Sequence, residues 1–408
     1  MGYQQGLSGL AASSNDLDVI GNNIANANTV GFKESNAQFQ DVYANTLASS
    51  VNTQIGLGTS LAEVQQDFSQ GTITTTGQAL DVAINGNGFF QMSNNGSLTY
   101  SRNGVFQLDP NGDIVNGQGL QLMGYAADSQ GVVNTAATVP LSVPTTNLAP
   151  LSTSSITAQV NLDAQTSAPT ATPFSETDPN SYSYSTSIQT YDSLGGTEQI
   201  NMYFVQNGTD ATTGNALWNV YSGTPGNATQ VGSLEFDQGG NLVSPANGQM
   251  SVTVNPTDGA KQNQVVTVDF TGTTQFGSAN GVNNLTQNGY ASGQLTNFTI
   301  TADGTLTGNY SNGQTQSLGQ IVLANFNNPN GLRDLGGNEY AQTSASGVPQ
   351  VSTPGSTNHG TLTGGAIESS NVDLTNQLVD LITAQRNYQA NAQTIKTQQS
   401  VDQTLLNL

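Results

Sequence analysis

The sequence predicts a mainly β protein with an α-helix at each end. The two helices are expected to pair as a coiled coil, with two nested β-domains inserted between them. Three observations carry this reading. Apolar residues near both ends recur at alternating steps of three and four, the seam spacing of paired helices. The long middle is punctuated by Asn-Gly turns between short apolar runs, which is the local signal for hairpins. A proline-rich crossing then separates two stretches of β texture, and the texture of the first resumes near position 288.

The N-terminal helix is assigned to residues 1–30. Leu7, Leu10, Ser14, Leu17, Gly21 and Ile24 form its seam, Ile20 adds apolar surface, and Gly31 is placed to stop it. Gly2, Gly6, Gly9, Gly21 and the asparagines at 15, 22, 23, 26 and 28 are poor helix formers. The helix is therefore expected to need partners beyond its own chain, disordered in a monomer and ordered in an assembly. Residues 31–70 have scattered apolar positions and no sustained period, and are assigned to an extended connector with short helical or strand pieces.

Residues 71–149 form the first part of an inner β-domain. The run 80–84 leads into Asn85-Gly86-Asn87-Gly88, 89–92 into Asn94-Asn95-Gly96, and 105–108 into Asp109-Pro110-Asn111-Gly112. Between Pro140 and Pro179 lie six of the chain's thirteen prolines, amid Ser and Thr. Residues 150–287 are assigned to an inserted outer β-domain, 288–349 to the second part of the inner one, and 350–369 to a second connector. The C-terminal helix takes 370–408. Its seam runs through Leu374, Leu378, Leu381, Tyr388 and Ile395, with Gln385 and Ala392 in the intervening places and Ile382 beside it. Asn371 is the expected N-cap, with Asp373 in the first turn; Arg386 and Lys396 lie in the second half, where the helix dipole favours cations.

Composition narrows the function. Charged residues make up 8% of 408, and the net charge is −21. Six basic residues, no two adjacent, give no cluster for nucleic acid or an anionic membrane surface. There is no cysteine, hence no disulfide, thiol chemistry or Cys-ligated metal. No apolar run reaches membrane-spanning length, and the first twenty residues lack the core of a secretory signal. The single histidine, His359, sits in a loop pattern without a nucleophile or acid beside it. Asp109-Pro110-Asn111-Gly112-Asp113 imitates the start of a calcium loop but has Leu120 at the twelfth place, and reads as a hairpin turn. No catalytic residue, cofactor, metal or small-molecule substrate is expected. The chain has the composition of an exposed extracellular structural protein.

The ends carry a close family resemblance. Residues 18–26 (Asp-Val-Ile-Gly-Asn-Asn-Ile-Ala-Asn), followed by Thr29-Val30-Gly31-Phe32-Lys33, resemble the N-terminal signature of the bacterial flagellar rod and hook proteins. Residues 368–374 (Glu-Ser-Ser-Asn-Val-Asp-Leu) and 384–391 (Ala-Gln-Arg-Asn-Tyr-Gln-Ala-Asn) resemble the C-terminal one. The signature positions are Asn22, Asn23, Asn26, Gly31, Phe32, Lys33, Asn371, Gln385, Arg386 and Tyr388. Gly86-Asn87-Gly88-Phe89-Phe90, Tyr100-Ser101-Arg102-Asn103-Gly104 and the run 320–326 resemble hook members, and so does the length, since rod members are much shorter. The likeness is strong over about 1–125 and 285–408 and weak over 150–280.

The resemblance implies a subunit exported through the flagellar secretion channel without a cleaved signal. It would polymerise below a cap into a curved, flexible tube outside the cell. That tube would join rod to filament and transmit torque as a universal joint. The implied partners are other copies of itself, the rod, the hook cap, the hook–filament junction proteins and the export apparatus. The alternatives are a long distal-rod protein or, from another class, a secreted β-rich adhesin or hydrolase.

Overall fold

A computed structural model describes residues 2–42 and 56–406. Helix α1 spans Gly2–Ala25. Past it the backbone still turns, Asn26 N–H donating to the Asn22 carbonyl at 3.1 Å and Thr29 N–H to that of Asn26 at 3.0 Å. Gly31 then reverses the chain at φ +71°. A Cβ there would stand 2.7 Å from the Asn103 backbone nitrogen, so the position demands glycine by conformation and by space alike.

The stretch expected to be an extended connector is built instead around a hairpin. Strand β1 (Ser35–Val42) pairs antiparallel with β2 (Gly58–Gln66), Ser35 opposite Gln66 and Val42 opposite Gly58, with a register shift after Gln38. Neither strand buries a whole face, so the alternation that marks a half-buried strand is missing from its sequence. The hairpin is tied to α1, where Gln5 Nε2 donates to the Gly56 carbonyl at 2.7 Å and Thr59 N–H to Ser8 Oγ at 3.3 Å.

The chain divides into two compact units, the first of which holds both helices. One comprises 1–145, 297–309 and 315–408; the other comprises 146–296 and 310–314. In the first, Phe89–Asn94 turns through Asn95-Gly96 into Ser97–Ser101, and Gln121–Ala126 pairs with both Phe89–Asn94 and Thr315–Ile321. Phe89, Tyr100, Ala324, Phe326 and Tyr340 close its aromatic core, with Tyr100 and Phe326 edge-to-face at 4.8 Å. The second expected connector, 350–369, is also woven into sheet. Gln350–Ser352 pairs with Leu323–Asn325, Thr361–Gly364 with Val82–Asn85, and Ala366–Glu368 with Ile73–Thr75. These strands of three or four residues are too short to show a period, and their partners define them.

The second unit is a sandwich. Gln249–Val254, Gln264–Asp269, Ser155–Asn161 and Gly281–Gln287 form one sheet. Tyr184–Tyr191, Thr197–Thr209, Ala216–Gly223, Thr229–Phe236 and Leu242–Ser244 form the other. Met250, Val252 and Val254 point inward, alternating with exposed Gln249, Ser251 and Thr253, and meet Ile200, Met202, Phe204, Trp218, Leu234 and Phe236.

Helix α2, Leu374–Leu406, closes the chain with 33 residues, about 50 Å of helix. Its cap is Asp373, whose Oδ1 accepts from the N–H groups of Thr375 (2.8 Å) and Asn376 (3.3 Å). Asn371, the expected cap, lies too far upstream and is bonded elsewhere.

Candidate assembly site: the helix pair and its anchor

α1 and α2 pack antiparallel, Gly6 against Ile395, Gly9 against Asn391 and Asn23 against Gln377. The facing residues of α1 are Gly6, Gly9, Ser13, Ile20 and Asn23, which step by three, four, seven and three. This is the expected spacing, but displaced by one residue from the seam 7, 10, 14, 17, 21, 24. The cause is size. A Cβ at Gly9 would stand 2.8 Å from the Asn391 side chain, and one at Gly6 3.0 Å from Ile395 Cγ1. Small residues let the two backbones approach, and Ile20 is the one buried large aliphatic among the described residues of α1.

Gly21, placed in the seam by spacing, meets nothing within 4 Å. Leu7 is 51% exposed, Leu10, Leu17 and Ile24 are half-buried, and Ile20 is buried. Among the described side chains of α2 only Gln377 and Ala384 are buried. Leu381 and Ile395 are half-buried, whereas Leu374, Leu378 (49%), Val379 (59%), Ile382 (49%) and Tyr388 lie open. Gln385 and Arg386 are exposed as well. The pair thus buries a narrow, polar seam and leaves an apolar face uncovered by the described residues.

At the base of the pair the two signatures meet in a buried polar anchor. Glu368 Oε1 accepts from Lys33 Nζ at 2.7 Å and from Gly71 N–H at 2.9 Å, and Oε2 from Arg102 Nη1 at 3.2 Å. Lys33 also donates to the Ser69 carbonyl at 2.6 Å, and Arg102 Nη2 to the Gly86 carbonyl at 2.8 Å, with its guanidinium 5.6 Å from the centre of the Phe89 ring. Gly31 N–H donates to the Glu368 carbonyl at 2.9 Å. Burial, and then the Arg102 charge, push the Lys33 ammonium below its ordinary pKa, while Glu368 opposes them. These are both of the ion pairs found among the described residues.

Asparagines complete the anchor. Asn371 Oδ1 accepts from Glu34 N–H at 2.8 Å, and its Nδ2 donates to the Asp67 carbonyl at 2.8 Å and to Ser69 Oγ at 3.0 Å. Asn23 exchanges two hydrogen bonds with the Ser35 backbone, at 2.8 and 3.0 Å, and donates to Gln377 Oε1 at 3.2 Å. Asn26 donates back to Asn22, and Phe32 is half-buried beside them. Sequence reasoning quoted Glu368 and Arg102 within longer motifs without singling them out. The available signal was scarcity, because a chain with six basic residues places two of them here.

Between α1, α2 and β1 lies a cleft of about 250 Å³ lined by Asp16, Ile20, Asn23, Ser35, Asp380 and Asn387, among others. Burial and the facing Asp380 raise the Asp16 pKa. Burial, with Asp67, Asp380 and Asp373, raises that of Glu34, against the hydrogen bond from Gln377. The cleft lining is acidic, with Asp16 and Asp380 and, among its described residues, no basic one.

Family models place the chain, segment by segment, among the rod and hook proteins of the bacterial flagellum. Residues 4–33 match the flagella basal body rod protein model, and 83–163 the flagellar hook protein FlgE/F/G D1 domain. Residues 161–290 match the flagellar basal body protein FlaE D2 domain, and 363–408 the flagellar basal body rod FlgEFG protein C-terminal model. The flagellar hook proteins FlgE of Escherichia coli and Salmonella typhimurium are each 44% identical over the full length of both chains. That of Treponema pallidum is 32% identical over 99% of this chain and 98% of its own. The chain belongs to the flagellar hook protein family. The crystal structure of Helicobacter pylori flagellar hook protein FlgE2 shares its fold, with a TM-score of 0.54 at 15% identity, over 72% of this chain and all of that one.

Proposed function

We propose that this chain is the structural subunit of the flagellar hook, polymerising through its terminal helices into a curved, flexible tube that carries torque from rod to filament. The observation that carries this is the open face of α2. Leu374, Leu378, Val379 and Ile382 stand in solvent on a 33-residue helix of whose described side chains only two are buried. Repetition of such a face in neighbouring copies would cover it, and would supply the burial that α1 and α2 lack as a pair.

The proposed partners beyond the chain's own copies are the rod, the hook cap, the hook–filament junction proteins and the export apparatus that delivers the subunit outside the cell. The scarcity of charge on the β units supports a bending tube, because water-mediated polar contacts are remade at less cost than fixed ion pairs. The reading is tested by electron microscopy of the purified full-length protein after ammonium sulfate is added. Hollow tubes of uniform diameter are expected; amorphous precipitate at every salt concentration would sink it.

A further inference from the structure

Asp192 opens the turn between Tyr184–Tyr191 and Thr197–Thr209 and is 1% exposed. Its Oδ1 accepts from the N–H groups of Leu194 (2.7 Å) and Gly196 (2.9 Å), as an aspartate at a turn commonly does. Its Oδ2 is buried and has no hydrogen-bond partner. Two other turns of this kind satisfy that oxygen with an asparagine. Asn111 Nδ2 donates to Asp109 Oδ2 at 3.1 Å, and Asn241 Nδ2 to Asp237 Oδ2 at 3.3 Å. At the corresponding places after Asp192 stand Leu194 and Gly196, which have no side-chain donor.

What faces Asp192 Oδ2 is another carboxylate. Asp192 Oδ2 and Asp258 Oδ2 converge over Gly196, 2.5 and 2.7 Å from the point where a Cβ would stand. Asp258 is held there by Ala260 N–H, donating to its Oδ1 at 3.0 Å. Its loop is tied down by Lys261 N–H, donating to Ser193 Oγ at 2.9 Å. The Lys261 side chain is exposed and makes none of the ion pairs found among the described residues. Two carboxylate oxygens, one of them cut off from water, thus meet without an ion pair among the described residues, an arrangement that costs free energy until a cation enters.

We propose that Asp192 and Asp258 bind a hard divalent cation, calcium by preference, which clips the 192–196 turn to the 255–263 loop. The donors are oxygens alone, and the remaining coordination falls to backbone carbonyls and water. Calcium accepts six to eight oxygens in flexible geometry, whereas magnesium demands a near-ideal octahedron. With two carboxylates the affinity belongs in the range of about 10⁻⁴–10⁻³ M typical of extracellular modules.

The test is differential scanning calorimetry of the full-length protein with about 10 mM calcium chloride against sodium chloride of equal ionic strength. Wild type should gain about 3–11 °C in the transition of the unit holding both aspartates, and Asp258→Asn should gain nothing. Terbium, a luminescent stand-in for calcium, should give tyrosine-sensitised emission in wild type and lose it in both Asp258→Asn and Gly196→Ala. No calcium shift in wild type, or an equal shift in Asp258→Asn, would overturn the site. So would a calcium response gained only in Lys261→Gln, because the lysine would then be the native counter-charge.

Discussion

Glu368 is the one anion shared by Lys33 and Arg102, and all three side chains are buried. Removing it leaves two cations facing each other in the interior, and breaking a buried pair in this way costs roughly 3–5 kcal/mol. Glu368→Gln should therefore lower the urea midpoint of the first unit by an amount equivalent to several kcal/mol, with the sandwich transition unmoved. A loss below about 1 kcal/mol, the value of an exposed pair, would show that water reaches the anchor. Lys33 lies in a motif that the sequence made visible. So does Glu368, but their meeting was not visible, because the two are 335 positions apart and come together through the pairing of Ala366–Glu368 with Ile73–Thr75. No local pattern encodes such a meeting. Gly9 was legible only as a weakness in a helix, whereas its lack of a side chain is what admits Asn391.

At the scale of elements, the existence of both helices followed from their three-four spacing, but the face each would turn inward did not. Spacing finds the most apolar stripe, and in α1 that stripe is one residue from the one used within the chain. Leu378→Asp and Leu381→Asp would place a charge in the proposed interface between copies, at a cost of several kcal/mol unless paired. Sedimentation should find no polymer from either variant, while circular dichroism shows the β units intact; normal tubes from Leu378→Asp would remove that face from the interface.

The helix pair itself should be marginal in the monomer. A protease of broad specificity should trim α1 and α2 first and leave a resistant core of about 70–368. This trimming should depend on pH. Asp16 and Glu34 have raised pKa values in the folded chain, so the folded form holds more protons than the unfolded one above the ordinary carboxylate range. Their contribution to stability therefore falls as pH rises through that window, and acidification from neutral towards about pH 5 should slow trimming of the pair. Asp16→Asn should flatten this dependence. Faster loss of α2 at the lower pH, after correction for protease activity on an unfolded substrate, would contradict the assignment.

For the whole molecule, charge decides when assembly begins. Each copy brings −21 to a crowded tube. The screening length is about 30 Å at 0.01 M salt and about 8 Å at 0.15 M, so repulsion between copies should raise the critical concentration in dilute buffer. Sulfate should lower it further by strengthening apolar burial of α2. The measurement is pelleted polymer against salt at fixed protein concentration, and strongest assembly at the lowest salt would require specific ion pairs between copies. At this scale the sequence was most informative. Its Asn-Gly turns marked sheet, and its proline-rich crossing fell where the second unit begins. It assigned 31–70 and 350–369 to connectors, where the strands are exposed in the first and, in the second, short and paired with partners far along the chain.

The anchor also works as a test of completeness. Lys33 and Arg102 are made early in synthesis and lack the carboxylate that pairs with both until residue 368 arrives, nine-tenths of the way along the chain. Until then a strand pair, a glycine turn and a helix base all lack their last member, and closure across so long a separation is slow. A truncated chain that ends before residue 368 should therefore stay unlocked, without a finished base for its helix pair.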